Sequence, residues 1–78
     1  MKFEIFRIQT GQNNKKTLFH MKPGDLDMKH IDNTEHEGDS EAFKIINDYI
    51  VKNDFRLLNV NNYNRSGYDF MDFIIIKD

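Results

Sequence analysis

Two segments of this chain place bulky apolar side chains on both sides of an extended strand, while only one segment has the rhythm of a helix. In 68–77, YDFMDFIIIK, Met71, Phe73 and Ile75 share one side. Tyr68, Phe70, Ile74 and Ile76 share the other, interrupted only by Asp72. Near the start, Phe3 and Ile5 oppose Phe6 and Ile8. Strand side chains alternate between faces, so one helix shelters one face of a sheet and no more. A sheet face turned to water is normally polar at every second position. At ~25 cal/mol per Å², leaving three or four such side chains wet forgoes several kcal/mol, a large share of a small domain's stability. The second face therefore needs a cover. The 22–38 segment with Leu26, Met28 and Ile31, a second copy of the chain, or a foreign partner or ligand could each supply it.

The elements follow from periodicity and punctuation. Residues 2–9, KFEIFRIQ, alternate and form a first strand; TGQNNKK turns the chain, and 17–21, TLFHM, returns as a second. KPGD at 22–25 fits a type II turn, with Pro fixing φ and Gly accepting positive φ. From Asp25 to Gly38 the chain is polar and acidic and is expected to be mostly loop. Ala42, Ile45, Ile46, Tyr49 and Ile50 recur at helical spacing, with Asp39 or Ser40 as the cap and Glu41 suiting the dipole. Asn53 and Asp54 tolerate left-handed geometry and end the helix. Strands at 55–63 and 68–77, joined by NRSG, complete a β-β-α-β-β order.

At 78 residues the chain is one α+β domain, 1–78, and seven Phe with three Tyr give it a core from few side chains. The absence of Cys removes disulfides, thiolate nucleophiles and Cys-ligated zinc, and fits a reducing cytoplasm. MKFEIFRIQT is not a signal peptide, and no run approaches the ~20 apolar residues of a membrane span. A net charge of −2, with 13 acidic and 11 basic residues, argues against long nucleic acid as a partner.

Candidate chemistry is sparse. His20, His30 and His36, even with Asp32, Glu35, Glu37 and Asp39 nearby, lack the fixed spacing of a metal site, so no metal and no cofactor are expected. Ser40 reads as a cap and Ser66 as a turn residue; Gly11, Gly24, Gly38 and Gly67 are isolated, so no phosphate loop exists. The chain is not expected to be an enzyme. NVNNYNRSGYDF, 59–70, offers a small-nucleotide alternative: Tyr63 and Tyr68 could stack on a base, and Arg65 could pair a phosphate. The plainer reading is a hairpin with cross-strand tyrosines.

MKFEIFRI and DFRLLNV, 54–60, resemble two motifs of a small bacterial and phage domain-of-unknown-function family. Its members start with M-K-aromatic-E-aromatic and leave one amphipathic helix through G-W-E-L-V-x-V into a final hairpin. Asp54 stands where that pattern has glycine, and Phe55 where it has tryptophan. The family has no established catalytic residues, and the resemblance implies a small accessory module. The expectation is a four-stranded antiparallel sheet with one helix on one face. It would bind a protein, as a homodimer or with another partner, through the sheet's edges or through its open-face residues Tyr68, Phe70, Ile74 and Ile76, one form being a phage-type inhibitor of a host system.

Overall fold

The computed structural model describes residues 1–12, 14–22, 29–34 and 40–78, with 29–34 and Ser40 described as backbone. Among the described residues, five strands and one helix follow in order: β1 (Lys2–Thr10), β2 (Lys16–Met21), β3 (Lys29–Thr34), α1 (Ser40–Lys52), β4 (Arg56–Arg65) and β5 (Tyr68–Lys77). They form one antiparallel sheet in the order β3-β2-β1-β5-β4. The α+β class, the four expected strands and the single helix between two hairpins are all present.

The sheet also carries a fifth strand where the sequence suggests loop. β3, KHIDNT, has one strongly apolar residue in six and so shows no alternation. It pairs with β2 as an edge strand, satisfying backbone groups that β2 would otherwise leave open. Edge position removes the need for an apolar pattern, which is why the sequence conceals it. The type II turn at 22–25, the cap Asp39, and the sheltering residues Leu26 and Met28 lie outside the described residues, as does the side chain of Ile31.

The two terminal strands lie side by side at the centre, with Phe6 opposite Phe73 and Ile8 opposite Met71. That register sends Glu4, Phe6 and Ile8 of β1, Leu18 and His20 of β2, and Met71, Phe73 and Ile75 of β5 to the helix side. Phe6, Ile8, Leu18, Ala42, Ile46, Phe55 and Ile75 make the core, with Ile45, Tyr49, Ile50, Met71 and Phe73 packed against it. The helical residues in this set match the predicted apolar stripe.

Two tight reversals set the ends. Ser66 (φ 55°) and Gly67 (φ 83°) both take positive φ, the pattern of a two-residue type I′ turn that matches strand twist. The hairpin therefore runs to Arg65, two residues beyond the expected strand end at Tyr63. At the helix exit Asp54 is left-handed (φ 59°), and Phe55 N–H donates to the Ile50 carbonyl at 3.0 Å. This reversal drops Phe55 into the core against Tyr49, with ring centroids 5.8 Å apart. Position 54 is thus one where glycine is the least strained residue. Asp54→Gly should raise stability by about 0.5–1 kcal/mol, read as a higher unfolding midpoint.

Candidate interaction face

The side of the sheet away from the helix is built by the other phase of each strand. Phe3, Ile5, Arg7 and Gln9 come from β1, opposite Ile76, Ile74, Asp72 and Phe70 of β5. Across β2, Ile5 meets Met21, Arg7 meets Phe19 and Gln9 meets Thr17. Across β4, Ile76 meets Arg56, Ile74 meets Asn59, Phe70 meets Tyr63 and Tyr68 meets Arg65. Tyr68, Phe70, Ile74 and Ile76 therefore share this face, as their spacing implies.

Their exposures differ. Tyr68 is 42% exposed, Phe70 and Ile74 are half-buried, and Ile76 is 7% exposed. Ile76 must be struck from the partner-facing set, because it lies between Phe3 and Arg56 in the register and offers almost no surface. Phe3, 53% exposed, takes its place as the accessible apolar residue at that end. Sequence alternation marks Phe3 as apolar on this face but cannot rank it above Ile76.

The face divides into two chemistries. The end carrying Phe3, Ile5, Met21, Ile74 and Ile76 is mainly apolar, with Arg56 and Asn59 along its β4 border. The other holds a charged and aromatic cluster. Arg7 donates from Nε to Asp72 Oδ1 at 2.8 Å and from Nη2 to Oδ2 at 3.1 Å, a bidentate pair. Tyr63 OH donates to the same Oδ2 at 3.1 Å. The Tyr63 and Phe70 rings stack 5.1 Å apart, and the Arg7 guanidinium lies 5.5 Å from the Phe70 centroid and 6.0 Å from that of Tyr63. The hydrogen bonds to Asp72 raise the Arg7 pKa, while desolvation and then the Asp72 charge push the Tyr63 phenol up.

Tyr63, Arg65 and Tyr68, the alternative ligand set, do converge on this end. However, Tyr63 spends one ring face on Phe70 and its hydroxyl on Asp72. The pairing of Arg7 with Asp72 is the feature sequence reasoning missed, since 65 positions separate them and only the β1–β5 register makes them opposite.

A second polar cluster lies on the helix side. Glu4 and His20 are each 7% exposed. His20 Nε2 and Glu4 Oε1 lie 2.5 Å apart, and Tyr49 OH donates to the same Oε1 at 2.7 Å. His20 stacks on Phe6 at 4.1 Å and meets Tyr49 edge-on at 4.8 Å. Burial first, then the bond to Glu4 and its charge, push the Tyr49 phenol up to about 12. These three residues tie β1, β2 and α1 together. The legible signal was a polar residue in the buried phase of each strand: Glu4 before Phe6 and Ile8, His20 after Leu18. The arrangement is a buried clamp of hydrogen bonds and ring contacts.

Among the described residues, no group of three or more His, Asp or Glu side chains is placed to hold a metal ion. His30 lies on β3, and its side chain and all of His36 fall outside the described residues. No described helix is long and apolar enough to cross a membrane. Comparison of the chain with family models, with curated proteins and with solved structures yields no match.

Proposed function

We propose that this chain is a non-enzymatic protein-interaction module that works as a homodimer, two copies meeting through the helix-free face of the sheet. The observation that carries this reading is the apolar half of that face, where Phe3, Ile5, Met21 and Ile74 have no described helix above them. The domain measures 38 × 23 × 19 Å, and its broad side is of the size of the ~800 Å² that each partner gives to a standard interface. The Arg7–Asp72 pair is already neutralised, so it can enter an interface without leaving a lone charge. A two-fold pairing would bring apolar half against apolar half. In this reading the protein is a small accessory module of bacterial or phage type, as the MKFEIFRI and DFRLLNV motifs imply; the absence of Cys suits a cytoplasmic setting, and one form of it is an inhibitor of a host system.

Sedimentation velocity across micromolar concentrations tests it. The wild type should sediment as a dimer, and Ile74→Lys as a folded monomer. Phe3→Lys, at a more exposed site, should give the same result if Ile74→Lys proves unstable. A wild type that stays monomeric would overturn the proposal.

Small-nucleotide binding at Tyr63, Arg65 and Tyr68 is the weaker reading. Its support is their shared face, but Tyr63 is already engaged. A rise in melting temperature with a panel of nucleotides, abolished by Arg65→Ala with Tyr68→Ala, would favour it over the dimer.

A further inference from the structure

β4 borders the open face, to which Arg56 and Arg65 also belong, but the main-chain groups along its outer edge are not part of the dimer contact proposed above. It is the last strand of the sheet, paired on one side with β5 and carrying no described strand on the other. All of its ten residues except Val60 are exposed. Leu57, which faces the helix side opposite Ile75, is still 51% exposed, and Leu58, at a bulge, is 60% exposed. Edge strands are usually protected by shortness, by Lys or by Pro. β4 is long, has neither residue, and is interrupted by this one bulge.

Its charges are one-sided. RLLNVNNYNR carries Arg56 and Arg65 at its two ends and no acidic residue, although the whole chain is net negative. Arg56 Nη2 lies 3.8 Å from Asp78 Oδ1, but both side chains are largely exposed and such a pair is weak. If a second copy paired antiparallel with this strand about its midpoint, Arg56 of one would face Arg65 of the other at both ends. Like charges directly opposite each other destabilise a strand pair. The same pattern suits an extended segment with acidic residues spaced as the arginines are, roughly 30 Å apart at ~3.3 Å per residue.

We infer that the outer edge of β4 is a strand-addition site for an extended acidic segment of another protein. Main-chain hydrogen bonds would supply affinity, Leu57 and Leu58 apolar contacts, and the two arginines the register. The bond from Val60 N–H to Asn59 Oδ1, 2.9 Å, would be exchanged for one to the incoming backbone where that amide faces outward.

The probe is a fluorescent peptide of alternating Thr and Val, as long as β4, with Glu at both ends. Fluorescence anisotropy with the intact chain should show binding that weakens with salt. Replacing the terminal Glu by Lys, or using Arg56→Glu with Arg65→Glu, should weaken it about tenfold, and combining the two changes should restore it. No binding of the acid-ended peptide, or equal binding of the Lys-ended one, would overturn the inference. So would binding that is undiminished by N-methylation of alternate residues in both phases, each tested separately, because strand addition needs the amides of one phase. Self-association that survives Ile74→Lys but is lost in the Arg56→Glu, Arg65→Glu variant would assign the edge to a second copy and likewise overturn it.

Discussion

Phe6→Ala should lower the stability of this domain by about 3–5 kcal/mol, enough to leave much of the chain unfolded at physiological temperature. Phe6 is 1% exposed at the centre of the sheet. It stacks on His20 at 4.1 Å and meets Tyr49 edge-on at 5.2 Å. Removing the ring deletes the apolar contact and opens a void that rigid neighbours on three elements cannot close. It also withdraws the platform that holds His20 toward Glu4. Urea denaturation followed by far-UV circular dichroism measures the loss, and a decrease below about 1 kcal/mol would show that the core does not pivot on Phe6.

Glu4→Ala is the second large expected effect, about 3 kcal/mol, since it strands two groups at roughly 1–3 kcal/mol each. Tyr49 OH and His20 Nε2 both turn to Glu4 Oε1, and both lose that acceptor. Tyr49→Phe removes only one hydrogen bond and should cost about 1 kcal/mol. The two variants also differ in alkali. The Tyr49 phenol is raised from 10.0 to about 12, so the folded chain keeps a proton that the unfolded chain releases. Stability from this group is complete below pH 10 and is lost as pH rises from there toward about 12. Unfolding midpoints of wild type and Tyr49→Phe, compared across that window, should converge as pH rises, because the variant has no phenol to ionise at that position. Parallel curves would remove Tyr49 from the alkaline response.

Much of the fold was legible because its signals are local. The three-and-four spacing of Ala42, Ile46 and Tyr49 marked the helix, and Ser66-Gly67 marked the last hairpin. Asn53 and Asp54 marked the helix exit. β3 was not legible, because an edge strand needs backbone partners rather than an apolar pattern. The candidate face was legible as a set of alternating positions, yet Ile76 and Phe3 exchanged roles once neighbours were in place. The Arg7–Asp72 pair and the exposure of β4 had no signal in the local sequence.

By itself, the sequence determined that this sheet has apolar side chains on both faces and one helix to cover them, since alternation is built into extended backbone. Only the tertiary structure decided which of those side chains remain accessible, and which strand stands at the edge with arginine at each end. Exposure depends on what lies alongside in the register, and register is set by strands far apart in the chain.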